Sequence, residues 1–210
     1  MGFNDWNQET IKSNSGGSKY LRLKDRGDTA VIRVGSPTYV RLTAYNSDTG
    51  KYEDAEYVNS LSPNEFNEQY ADNEDYKTRA EYIWVVYLRE FNGEVVNEAS
   101  VYAAPPSIRD EMKKFASNSK WGDPAMYDFE IKRLKQNISD KGDDFYSITP
   151  DPTKSKMTKE ELEKCNALNA DIENLMPGVQ TLEAFTGRQN VEKAFGSTES
   201  LDDEAEAMLG

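Results

Sequence analysis

Tyr39, Arg41 and Tyr45 fall at even spacings within the segment Thr38 to Tyr45. Side chains of a strand alternate between its two faces, so these three share one face while Val40, Leu42 and Ala44 share the other. A tyrosine and arginine face backed by an apolar one suits an unpaired nucleic-acid strand: flat rings stack on bases and guanidiniums meet phosphates. A solvated sheet face would look similar, because Tyr and Thr are good strand formers. The segment Lys19 to Lys24 repeats the alternation and brings Tyr20, Arg22 and Lys24 together. Arg33, on the next strand beside Val31, would rim the same groove. Trp84, Tyr87 and Arg89 sit in a strand that is apolar on both faces. Core packing claims at least one of those rings, and Arg89, nearer the turn, is the better phosphate contact. Lys132, Arg133 and Lys135 crowd the end of a later strand and complete the expected nucleic-acid-binding set.

Other chemistries find less support. The chain has no histidine and one cysteine, which excludes a typical zinc site and histidine acid–base catalysis. No metal and no cofactor is expected, and the protein is not expected to be an enzyme. Asp72-Asn73-Glu74-Asp75 and the run Asp140 to Asp144 hold carboxylates that a two-magnesium nuclease would need. Both lie where turn geometry already calls for Asp and Asn. The lone Cys165 can form no intrachain disulfide and fits a reducing compartment, so a cytoplasmic location is expected. No run of about 18 apolar residues is present, and residues 1–10 show neither a basic nor an apolar signal region, so neither membrane insertion nor secretion is expected.

The net charge of −13 would repel a polyanion if it were spread evenly. It is not. Residues 1–46 hold seven Lys/Arg against four Asp/Glu, whereas residues 47–81 hold three against ten and residues 151–210 six against thirteen. The local field decides whether a polyanion is attracted, so a basic groove can exist in an acidic protein. An acidic interaction or adaptor protein, or a DNA mimic, would explain the charge more simply but leaves the Tyr/Arg face without a purpose.

These residues must be positioned by strands. Short strands are expected near 19–24, 29–34 and 38–45. A polar, acidic insertion at 46–79 follows, with a short helix after Ser62-Pro63. Asn92-Gly93 then turns a hairpin between 81–91 and 94–103. A helix is expected at 107–117, with Ile108, Met112 and Phe115 on one stripe. Strands at 127–135 and 145–149 follow, with Tyr127, Phe129 and Ile131 inward. Thr158 and Glu161 form a capping box for a helix whose stripe is Leu162, Cys165, Leu168 or Asn169, Ile172 and Leu175. That helix would pack on the barrel or pair with a second copy, as in a homodimer. A further helical piece is expected around 179–194. The fold expected is mainly β: an OB-fold-like antiparallel five-stranded barrel with one inter-strand helix, a C-terminal helical extension and a disordered acidic tail. The domains expected are a flexible arm at 1–18, the barrel at 19–152, the extension at 153–195 and the tail at 196–210.

Residues 83–152 resemble the phage single-stranded DNA-binding protein family. The likeness lies in the order of pieces. The hairpin runs into the helix at Pro106–Asp110, then come Trp121-Gly122-Asp123-Pro124, Tyr127-Asp128-Phe129-Glu130-Ile131 with Lys132, Arg133 and Lys135, and finally Asp144 to Pro150. The basic strands before and the acidic tail after fit the same layout. The resemblance implies a protein that coats single-stranded DNA in replication, recombination and repair. It also implies that the tail (Glu199, Leu201, Asp202, Asp203, Glu204, Glu206, Met208 and Leu209) recruits a polymerase, helicase or nuclease. Some members carry a structural zinc, for which this chain has no ligands. Stacking barely distinguishes DNA from RNA, so the sugar preference stays open.

Overall fold

The structure is a computed structural model and describes residues 19–137, 140, 144–153 and 155–187. The expectations for the arm at 1–18 and for the tail, including Glu199, Leu201, Asp202, Asp203, Glu204, Glu206, Met208 and Leu209, lie outside the described residues. The fold is mainly β, a single curled sheet that stays open like half a barrel.

Its central element is β5 (Tyr76–Phe91), sixteen residues long. One edge carries β6 (Glu94–Ala104), joined through a turn with Asn92 at φ 52° and Gly93 at φ 80°, the left-handed pair that matches strand twist. The other edge carries two strands in series, β2 (Thr29–Val34) against residues 86–91 and β3 (Tyr39–Asn46) against residues 76–83. The break between them is bridged: Gly35 N donates to Val85 O, and Val85 N donates to Ser36 Oγ, both at 2.9 Å. The ladder thus survives Pro37, which has no N–H to offer. β1 (Tyr20–Leu21) adds to β6, and β7 (Phe129–Arg133) and β8 (Tyr146–Pro150) extend from β2. β4 (Lys51–Tyr52) and β9 (Gln180–Thr181) attach to β3.

Alternation along these strands builds two cores. The inward face gathers Ala30, Ile32, Trp84, Val86, Phe129 and Ile131, plugged by α3 (Pro106–Ser117) through Ile108 and Met112. The outward face gathers Ile83, Val85, Tyr87 and Val101. It is covered by α4 (Lys159–Ala170) and α5 (Ile172–Leu175) through Cys165, Ile172 and Met176. Thr158 and Glu161 do cap α4 reciprocally. Seating α4 also demands Gly35, since a Cβ there would lie 2.7 Å from Cys165 Sγ.

Several sequence expectations need correction. Among the described residues the sheet has nine strands where five were expected, and β1 is only two residues long and runs parallel to β6. The short helix expected after Ser62-Pro63 is present, but the insertion at 46–79 holds more structure than that helix. α1 (Ala55–Ser60) is capped by Asp54, and α2 (Pro63–Phe66) is capped by Ser62 with Glu65 reciprocating. Val58, Phe66 and Tyr70 then bury a small core against Ala44. Its density of charged residues hid these apolar anchors. Leu162, expected in the stripe of α4, is 44% exposed. Of the helical piece expected around 179–194, residues 182–187 are helical, Gln180–Thr181 form a strand instead, and 188–194 lie outside the described residues. No helix among the described residues is long and apolar enough to cross a membrane.

Candidate nucleic-acid interface

Beyond the helical extension the outward face lies open and forms a trough of about 840 Å³. Its walls come from the 20–24 segment, β3, β5, β6, the ends of β7 and β8, and Leu175 with Met176. Five basic side chains line it: Arg22, Lys24, Arg41, Arg79 and Arg133. Two carboxylates, Glu53 and Glu81, oppose them. Tyr20, Tyr52 and Tyr146 supply aromatic surface, whereas Tyr102, at the floor, is 3% exposed and belongs to the inner core. The trough is therefore cationic although the chain carries −13, the separation of local field from total charge that binding a polyanion requires.

Each wall is fixed by its own contacts. Tyr20 Oη donates to Leu175 O at 2.8 Å, and the Arg22 guanidinium carbon lies 6.0 Å from the Tyr20 ring. Arg133 donates to the carbonyls of Leu23, Lys135 and Gln136 at 2.8–2.9 Å, with Phe145 5.5 Å beneath its guanidinium. One side chain thus ties β7 to the segment after β1, linking opposite ends of the open sheet. Arg41 and Arg79 each donate to Glu81 at 2.6 Å. Tyr52 is 58% exposed and meets Tyr45 edge-on at 5.1 Å, which leaves the Tyr52 ring available to a base.

Of the expected binding residues, Tyr20, Arg22, Lys24, Arg41 and Arg133 line the trough, and Tyr45 stands behind Tyr52. The others do not join them. Tyr39 shares the face of Arg41, but its Oη donates to Asn169 of α4 and its ring packs against the helical extension. Trp84 is buried in the inner core with Nε1 donating to Thr38 Oγ1. Tyr87 is 4% exposed and donates to Asn97 O. Neither ring can meet a base without breaking a core.

Arg33 is also internal, and Arg89 is half-buried and held in ion pairs. Arg33 is 1% exposed, donates from Nε to Asp128 Oδ1 at 2.7 Å and reaches Ser155 with its other nitrogens. Arg89 lies 2.7 Å from both Asp128 Oδ2 and Glu161 Oε1. Burial disfavours the Arg89 charge, yet these two carboxylates outweigh it and hold the guanidinium firmly protonated. Burial likewise opposes ionisation of Glu161, but bonds from Arg89 and from the Thr158 backbone lower its pKa below the usual carboxylate value. The Arg33–Asp128–Arg89–Glu161 chain therefore clamps the extension to the sheet. Lys135 is buried, and Lys132 is exposed on the strand face opposite Arg133, outside the trough.

Sequence reasoning missed Arg79, Tyr52 and Tyr146. Arg79 had a signal: the alternation Tyr76, Thr78, Ala80 continues the period of β5 toward the N-terminus, with Arg79 and Glu81 on the other face. Tyr52 had one in Asn46 and Gly50, the turn residues of the short hairpin that pairs Tyr45 with Tyr52. In the two acidic runs considered for metal, Asp140 and Asn73 serve turns. Asp140 Oδ2 accepts from the Gln136 and Asn137 backbones, and Asn73 Oδ1 accepts from Asp75 N. Among the described residues no group of three or more Cys, Asp or Glu is arranged to hold an ion. No protein-family model matches the chain, and no curated protein sequence matches it.

Proposed function

We propose that the protein binds single-stranded DNA without sequence preference, in the trough between the 20–24 segment and the open ends of β3 and β5. The observation that supports this most is the excess of cations in that trough, interleaved with tyrosines, within a strongly acidic chain. Rings contribute about 1–3 kcal/mol per stacked base, whatever the base. Cations add a term that falls with salt at a slope of about −0.7 per phosphate for single strands. A duplex conceals its base faces and keeps only the second term.

In this reading the half-barrel is an OB-fold variant, and the protein acts in the cytoplasm during phage DNA replication, recombination and repair, as the resemblance of residues 83–152 implies. The acidic tail then recruits replication or recombination proteins. The alternative of an acidic adaptor is favoured by the net charge alone and leaves the cationic trough without a ligand. Fluorescence anisotropy of a labelled dT oligomer, at low and moderate salt and with a duplex control, tests the proposal. Salt-sensitive binding of the oligomer and much weaker binding of the duplex are expected. No binding of the oligomer at low salt overturns it, and fragmentation of the DNA in magnesium would replace it with a nuclease.

A further inference from the structure

Glu81 sits in the trough between two arginines drawn from adjacent strands. Its Oε2 accepts from Arg41 Nη2 and its Oε1 from Arg79 Nη2, each at 2.6 Å. The Glu81 side chain is 13% exposed and that of Arg41 18%, so this half of the bridge is largely shielded from solvent, whereas Arg79 is 59% exposed and reaches Glu81 from the solvent side. One carboxylate thus uses one oxygen on each guanidinium. Arg41 Nε remains buried with no hydrogen-bond partner among the described residues. The pair of arginines consequently has more donor capacity than Glu81 can satisfy.

A phosphodiester carries the same charge as a carboxylate and likewise presents two unesterified oxygens. It has the further acceptor capacity that the unmatched donor lacks, and guanidinium–phosphate bonds are among the stronger charge-assisted ones. We propose that Glu81 occupies the place of a backbone phosphate. It holds Arg41 and Arg79 in the pose that a bound strand uses, and it yields both guanidiniums when the strand enters. The inference rests on the single-stranded DNA reading above. It adds a residue that lowers affinity while keeping the arginines ordered, so that a polyanion is bound only where it can displace the internal carboxylate.

The consequence runs opposite to that of an ordinary positioning residue. Glu81→Gln releases both arginines to phosphate, so the variant should bind a dT oligomer more tightly than wild type. Its salt slope should steepen by about 0.7 if one further phosphate is engaged and by about 1.4 if two are. Between about 200 and 50 mM salt the ratio of variant to wild-type affinity then grows by about 2.6-fold to about 7-fold. A variant that binds more weakly, or with an unchanged slope, shows that Glu81 stays in place and overturns the inference. Should Glu81→Gln not fold, carbon-13 NMR of the wild-type protein decides. The Glu81 carboxylate resonance should move on saturation with dT oligomer by more than that of Glu94, which lies outside the trough; an unmoved resonance in the bound state overturns the proposal. Wild-type protein that binds no oligomer removes the function and the role of Glu81 together, whereas wild-type binding with an unaffected Glu81 removes the second alone.

Discussion

Replacing Arg22 and Lys24 together by glutamine isolates the electrostatic part of the proposed binding. Both side chains are exposed on the trough wall, and neither holds the fold. Arg22 makes one loose contact, 6.0 Å from the Tyr20 ring, and Lys24 is anchored through its backbone, to Asp28 and to Gln136. The remaining three cations are already engaged, Arg133 by carbonyls and Arg41 and Arg79 by Glu81. With about −0.7 of slope per phosphate, five lining cations set a ceiling of about −3.5, and the double variant a ceiling of about −2.1. Lowering salt from about 200 to 50 mM should therefore raise wild-type affinity by at most about 130-fold and variant affinity by at most about 18-fold. Anisotropy titrations at four salt concentrations read the slopes directly. Thermal unfolding serves as the control, since exposed substitutions away from caps and cores change stability by less than about 0.5 kcal/mol. Lys132→Gln, exposed but outside the trough, should leave the slope near that of wild type. Equal slopes for wild type and the double variant, with a reduced slope for Lys132→Gln, would show that phosphates run elsewhere and refute the assignment of the trough.

Three further predictions concern the clamp between sheet and extension. Gly35→Ala places a Cβ 2.7 Å from Cys165 Sγ and 3.0 Å from its Cβ, an overpacking expected to cost about 1–3 kcal/mol and to lower the urea midpoint. Adding Cys165→Ala removes the sulfur and should recover part of the loss; an unaffected midpoint in Gly35→Ala would mean that α4 does not dock there. Glu161 has a lowered pKa in the folded state, so its contribution is fully present above its ordinary value near 4.3 and is lost as pH falls through the folded value. Urea unfolding from pH 6 down to pH 3 should show Glu161→Gln losing less stability on acidification than wild type, and parallel curves would contradict the pairing with Arg89. Burial pushes the Cys165 thiol up to about 11 and closes it to solvent, so a thiol reagent should react slowly at pH 8. Arg89→Gln removes the link to Asp128 and Glu161, and loosening of α4 by about 1.4 kcal/mol would speed that reaction about tenfold; no acceleration would separate the clamp from helix docking.

The hairpin at Asn92-Gly93, the inward series Tyr127, Phe129, Ile131 and the capping box Thr158–Glu161 were all legible in the sequence. Each is written in residues one to four positions apart, where strand alternation, left-handed turn geometry and cap hydrogen bonds operate. The two-residue β1, its parallel pairing and the small core under α1 and α2 were not. They depend on partners tens of residues away, as Tyr20 does on Val101 and Ala44 does on Phe66. Charged residues around Val58, Phe66 and Tyr70 concealed apolar anchors that no periodic stripe announces.

The candidate site divides along the same line. Alternation placed Tyr39 and Arg41 on one face of their strand, and the register then sets Tyr39 opposite Ile83 and Arg33 opposite Tyr87. What alternation cannot say is where along the face a distant helix stops. Here it stops at Tyr39, because Gly178, at φ 77°, turns the chain beneath Ala55 and seats β9 on Tyr39 and Val40. A Cβ at residue 178 would meet Ala55 O at 2.4 Å, so this turn requires glycine. Up to that point the aromatic and basic residues are buried or half-buried and form the clamp. Past it, Arg41 is the next outward-facing residue of β3, and it lines the trough. The same residue types thus hold the molecule together on one half of the face and offer it to a ligand on the other, with one glycine turn fixing the boundary.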